Sequence, residues 1–203
     1  MIITKLDKVG TKQVRLFFDE EKYCLLYYNE IRRLGFHEQD EIGQEEFEDL
    51  NNLLLHRAKL KAMSLLKYQD RTKKELKERL MRAEFPEFIT EGAVAYVESF
   101  GYINDDAYIR NFIDSRKDKK SRREIYVLLR QKGVDMNRAE EIMEEMYEEH
   151  SDQEAIRELL RKKHWDFACT DPKEKQKIYG YLVRKGFRYE DIRQVIQVCD
   201  WNA

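Results

Sequence analysis

Glycine and proline are scarce, at 8 and 2 in 203 residues. A sandwich or barrel of many short strands needs frequent turn residues, so this scarcity excludes one and points to long helices. Long apolar runs are missing too, so no stretch reads as a transmembrane helix. Cysteine is sparse and odd in number: Cys24, Cys169 and Cys199 lie far apart. That spacing excludes a disulfide scaffold and a zinc ribbon and suits free thiols in a reducing cytosol. The first residues, Met1 to Asp7, carry charges at Lys5 and Asp7 and hold no signal-peptide core. A cytoplasmic location is therefore expected. Aromatics are not lacking: 12 Tyr and 10 Phe separate the chain from disordered sequences.

Charged residues are abundant, at 38% of the chain, and the net charge of −2 conceals how they are sorted. Residues 35–50 hold seven acids and no Lys or Arg, while 57–82 hold ten bases and three acids. Residues 84–106 hold six acids and no base, and 107–132 hold nine bases and three acids. Residues 135–154 hold nine acids and one base, and 157–188 hold ten bases and four acids. The sign alternates about every fifty residues, which indicates an internal repeat.

The apolar pattern repeats at the same interval. Leu76 to Leu80 is echoed by Ile125 to Leu129 and by Ile178 to Leu182. Each is followed by a break, at Glu84-Phe85-Pro86, Lys132-Gly133-Val134 and Lys185-Gly186-Phe187. Beyond each break, apolar residues recur in steps of three and four: Ile89, Ala93, Val94 and Val97; Ala139, Ile142, Met143 and Met146; Ile192, Val195, Ile196 and Cys199. Such steps make one apolar stripe on a helix. Thr72-x-x-Glu75 and Ser121-x-x-Glu124 read as capping boxes, and Asp171-Pro172-x-Glu174 as a third helix start. Gly133 and Gly186 suit left-handed helix ends, and Pro86 supplies the stop where Glu84 replaces glycine.

A mainly α fold of three tandem three-helix repeats is therefore expected, with helices at 52–69, 73–83 and 87–100; 105–118, 122–132 and 136–150; and 152–165, 172–185 and 189–200. The expected domains are an extension at 1–50 and repeats at 51–103, 104–150 and 151–203. In the extension, Ile2–Val9, Gln13–Phe18 and Lys22–Leu26 favour strands, with turns at Gly10-Thr11 and Asp19-Glu20-Glu21. A small β-hairpin or meander followed by a helix at Tyr28–Leu34, closed by Gly35, is the reading. Such a sheet cannot fold alone, so it packs on the first helical unit, or else stands as an appendage on a mobile link at 39–44.

Catalytic constellations are absent. His37, His56, His150 and His164 each stand alone, and neither a Gly-rich phosphate loop nor a Gly-x-Ser-x-Gly occurs. The run from Glu140 to Glu149 reads as a solvated helix face, and Asn104-Asp105-Asp106 as a helix cap. Neither an enzyme nor a cofactor or metal site is expected. Binding is the stronger reading. Basic residues gather at the starts of the middle helices: Arg71, Lys73, Lys74 and Lys77; Arg116, Lys117, Lys119, Lys120, Arg122 and Arg123, with Lys132 beyond; Lys173 and Lys177, with Lys185 beyond. If the repeats stack alike, these make a stripe that attracts nucleic acid or an acidic protein surface. Alternatively they pair with the acidic third helices. Trp165 and Trp201 read as lids on the open end of the last repeat.

Leu66-Lys67-Tyr68-x-x-Arg71-Thr72-x-x-Glu75-Leu76-x-x-x-Leu80 resembles the opening signature of RecX regulatory proteins. So do Phe100-Gly101-Tyr102-Ile103-Asn104-Asp105-x-x-Tyr108, Phe112-x-x-x-Arg116 and Leu129-x-x-Lys132-Gly133-Val134. The likeness spans about 58–200. Lys120-Ser121 stands where the family often has Gly, and Leu128 where an acid often precedes the Leu. The resemblance implies a cytoplasmic, non-catalytic modulator of the RecA recombinase, needing no cofactor. It implies an elongated curved rod of three repeats that meets the RecA filament on DNA, in its groove or at its growing end. There it suppresses ATPase, strand exchange and coprotease activity. A monomer is expected, and direct DNA binding through the basic stripe is the alternative.

Overall fold

The structure, a computed structural model, describes residues 1–147, 151–166 and 171–198. The chain divides into two units at Asn104.

The first unit opens with an antiparallel sheet of order β1-β2-β3, formed by Ile3–Val9, Gln13–Phe18 and Glu21–Tyr27. Alternation places Val14, Leu16 and Phe18 in the core and leaves Gln13, Arg15 and Phe17 part-exposed. The β2–β3 turn is made by Asp19 and Glu20, both at positive φ, the geometry that suits a two-residue hairpin. Asp19 accepts from the Ile2 amide and the Thr4 hydroxyl accepts from the Glu20 amide, which holds two non-glycine residues in that conformation. Helix α1, Tyr28–Leu34, ends at Gly35 with φ 71°.

The segment expected as a mobile link is tied down. Ile3 N donates to Asp40 O, Gln39 N to Ile3 O and Ile42 N to Met1 O, while Phe36 and Ile42 are buried. Sheet and helices share one core in which Leu16, Cys24 and Leu26 meet Leu50, Leu54 and Leu80. The sheet therefore packs on the first helical unit rather than standing as an appendage. Burial pushes the Cys24 thiol up to about 12, so it is an unreactive core residue.

Helix α2 runs Gln44–Tyr68, starting eight residues before the expected 52, because the Glu46 carboxylate accepts from the Gly43 amide and nucleates an earlier first turn. Leu50, Leu54, Ala58 and Ala62 continue one buried stripe along it. Helix α3, Lys73–Arg82, has the full capping box: Thr72 Oγ1 accepts from Glu75 N and Glu75 reaches back to Thr72 N. Pro86 does not supply its stop. Glu84 itself adopts the left-handed conformation, φ 61°, and is held there by Arg15, whose Nε and Nη2 each donate at 2.7 Å. These bonds, with Lys22 at 3.5 Å, hold the Glu84 carboxyl below the usual carboxylate range. Helix α4, Glu87–Ser99, packs along α2.

The second unit contains α5 (Asp105–Asp114), α6 (Arg122–Lys132), α7 (Met136–Met146), α8 (Ser151–Lys162), α9 (Pro172–Arg184) and α10 (Tyr189–Val198). One core joins α5–α7 around Ile113, Leu129 and Ile142; another joins α8–α10 around Ile156, Leu182 and Ile192. Helix α5 is shorter than the expected 105–118: residues 115–120 are turns, stabilised by Lys117 N and Lys120 N donating to Ile113 O and Arg116 O. Helix α7 ends at Met146 rather than 150, and α8 at Lys162 rather than 165, where His164 takes a positive φ. Asp135 and Asp171 cap α7 and α9 through the amides two residues on. Gly133 and Gly186 have φ 72° and 90°. Trp165 is part-buried against the last core, as a lid would be. Trp201, Cys169, Cys199 and His150 lie outside the described residues.

Candidate interaction surface

The expected basic residues divide four to the first unit and ten to the second. In the first, acidic α4 neutralises much of the charge: Lys73 pairs with Glu98, and Lys77 bridges Glu87 at 2.8 Å and Glu91 at 2.7 Å. Those pairs realise the alternative in which middle-helix bases meet the acidic third helix. Arg71 is part-buried, and Lys74 stands exposed without an ion pair among the described residues.

The second unit differs. The Arg116 guanidinium lies 3.8 Å from the Phe112 ring centroid and donates to Ser115 Oγ at 2.6 Å. Lys117 pairs with Asp114, and Lys120 with Glu124. Lys119 and Arg123 are exposed, Arg122 lies over the Tyr147 ring, and Lys132 is part-buried in the last turn of α6. Lys173 is exposed at the start of α9, and Lys177 pairs with Glu174. Lys185 is exposed at the other end of α9, about 18 Å along the helix axis from Lys173.

The start of α6 therefore meets the end of α9, not its start. Ser121 makes this junction. It is fully buried, its Oγ accepts from Glu124 N at 3.1 Å and its hydroxyl donates to Lys185 O at 2.8 Å. Half of the expected capping box is thus redirected: Glu124 turns to Lys120 instead of reaching back to the Ser121 amide. Gly186 follows Lys185 so closely that a Cβ there would lie 2.8 Å from Ser121 Oγ. From α8, Asp152 Oδ1 accepts from Arg122 N at 3.0 Å, capping the first amide of α6.

Beside this junction lies a cavity of about 580 Å³. Arg122, Arg123 and Arg188 line it together with Glu140, Asp152 and Asp191, and Tyr126 and Tyr147 contribute rings. Burial pushes the Asp152 carboxyl above the usual range and Asp191 adds to this; the bond from Arg122 N and the Arg188 and Arg122 guanidiniums oppose it. Burial likewise raises the Tyr147 hydroxyl, which has no hydrogen-bond partner among the described residues. Arg188, Asp152 and Asp191 were not singled out by the sequence. The available signal was the Gly186 turn, which brings the residues on either side of it against another helix.

Among the described residues no three His, Cys, Asp or Glu side chains cluster as metal ligands, and no helix is long and apolar enough to cross a membrane. His37 and His56 are exposed, with His37 Nδ1 3.4 Å from Asp40.

Two family models match: "RecX, first three-helix domain" over residues 58–96, and "RecX, third three-helix domain" over 151–196. A protein of Caldanaerobacter subterraneus named "Regulatory protein RecX" is 28% identical over 201 residues, covering 98% of this chain and 100% of its own. Its namesake in Clostridioides difficile is 27% identical, covering 96% and 94%. The chain is similar to RecX proteins along nearly its whole length. A crystal structure of a regulatory protein RecX superposes with a TM-score of 0.61 at 17% identity, covering 97% of this chain and 98% of that one. RecX from Lactobacillus salivarius gives 0.60 at 24% identity over 73% of this chain. The small N-terminal sheet and mainly helical remainder are a RecX fold, and these relatives carry the name of regulatory proteins.

Proposed function

We propose that this protein is a non-catalytic negative regulator of the RecA recombinase, binding the RecA filament on DNA and restraining its ATPase, strand exchange and coprotease activity. The supporting observation is RecX likeness along nearly the whole chain, with regulatory proteins as the named relatives. Its three repeats, at 51–103, 104–150 and 151–203, meet successive features of the helical polymer, in the groove or at the growing end. It works as a monomer in the cytoplasm and needs no cofactor. The distribution of charge fits a polar partner. Lys73 and Lys77 in the first unit are neutralised by α4, whereas Lys119, Arg123, Lys173 and Lys185 in the second are exposed and outside any ion pair among the described residues. Unit-two residues therefore make the stronger contact.

The second reading is direct binding to DNA through the same bases. Replacing Lys74, Arg122 and Arg123 together by Glu tests both. The regulator reading expects loss of filament inhibition with unchanged helicity by circular dichroism. If the wild-type protein binds bare DNA as tightly as filaments, with a steep salt dependence, direct binding replaces the regulator reading.

A further inference from the structure

Arg122, Arg123 and Arg188 line one cavity in the second unit, and among the described residues no carboxylate forms an ion pair with any of them. The neighbouring acids have other commitments or positions. Asp152 accepts the first amide of α6, and Ser121 Oγ satisfies the third. The helix end is thus already capped, and the cavity's attraction for an anion comes from the side chains. Guanidinium forks match a carboxylate or phosphate in two-point hydrogen bonding.

The walls separate those two ligands. Glu140, Asp152 and Asp191 line the same cavity. A nucleic-acid backbone carries a charge at every nucleotide, so a strand seated here would bring further phosphates against three carboxylates. A protein segment brings one carboxylate, and its neighbours can be apolar or basic. Tyr126, Met143 and Phe187 supply an apolar wall for such a segment.

We propose that this cavity is a docking cleft for a protein segment that presents a single Asp or Glu side chain, held by Arg123 and Arg188, with an apolar or basic neighbour against the remaining wall. The proposal rests on the regulator reading, and takes the segment to come from the filament's protein subunits. It places a specificity-determining contact at Arg188, outside the basic helix starts.

The experiment uses the full chain, RecA and single-stranded DNA. The double variant R123Q/R188Q removes charge without adding acid beside Asp152. The expected result is at least a tenfold rise in the concentration that half-inhibits RecA ATPase, with affinity for bare single-stranded DNA within twofold of wild type. On the unmodified protein, filaments should shield Arg123 and Arg188 from modification by butanedione, read by mass spectrometry, and bare DNA should not. That second readout decides the matter if the double variant fails to fold. Unchanged inhibition by the variant, or no shielding by filaments, overturns the cleft alone. An equal loss of bare-DNA affinity, or shielding by DNA, identifies a phosphate site and also overturns it. Failure of the wild-type protein to inhibit or bind RecA overturns the regulator reading instead.

Discussion

Gly186→Ala places a methyl group 2.8 Å from Ser121 Oγ at a φ of 90°. Two costs are then separable. A side chain at positive φ costs about 1–2 kcal/mol. Displacing the buried Ser121 hydroxyl also weakens its bonds to Glu124 N and Lys185 O, a further cost of about 1–2 kcal/mol. The single change should therefore destabilise the second unit by about 2–4 kcal/mol. Ser121→Ala alone should cost about 1–3 kcal/mol, since it uncaps α6 and leaves a buried carbonyl unsatisfied. In the double variant the clash is gone and the cap is lost only once, so it should be more stable than the sum of the singles predicts by about 1 kcal/mol or more. Urea titrations followed by Trp165 fluorescence and far-ultraviolet circular dichroism supply the cycle. Strict additivity, or a Gly186→Ala variant as stable as wild type, would refute the close approach of the α9 end to the α6 start.

Three further outcomes are expected. Asp152 has a raised carboxyl pKa in the folded state, so its contribution is favourable below its unfolded value and is lost as pH rises through the folded one. Asp152→Asn, which keeps an acceptor for Arg122 N, should accordingly flatten the pH dependence of unit-two stability, measured by thermal melts between pH 3 and 8, a range that begins below the unperturbed value of about 3.9. Asp191, Arg188, Arg122 and Tyr147 face this group, so its response includes theirs. Glu84 has the opposite sign: its lowered pKa contributes stability above the unfolded value, lost as acid takes pH down through the folded one. Glu84→Ala should lower the urea midpoint more than Glu84→Gly, because Gly accepts the left-handed conformation that Ala resists; hydrogen exchange of β2 and β3 amides would locate the loss. Leu80→Ala and Leu129→Ala each empty a fully buried site and should cost about 2–5 kcal/mol by urea titration.

The helical repeats were legible because their signals are local. Leu80, Leu129 and Leu182 recur with their caps and following stripes, and all three are fully buried. The starts of α3, α6, α7 and α9 were set by side chains two or three residues away. Helix ends were less legible. Glu84 ends α3 only because Arg15, 69 positions earlier, holds it, and no local pattern announces such a partner. The early start of α2 at Gln44 was likewise hidden, because the apolar stripe that marks the helix begins only at Leu50. The candidate interaction surface was legible only as a distribution of charge. Basic helix starts are visible as composition, but pairing is a tertiary fact: Lys73 and Lys77 are spent on α4, while Arg188 joins Arg122 and Arg123 across a junction built by Ser121 and Gly186.

RecA ATPase on single-stranded DNA, titrated with this protein while bare-DNA binding is followed in parallel, tests the central claim most directly. The account predicts inhibition at amounts well below one per RecA, without comparable affinity for the DNA alone. Inhibition only at amounts that saturate the DNA, or no inhibition of the cognate RecA, would contradict it.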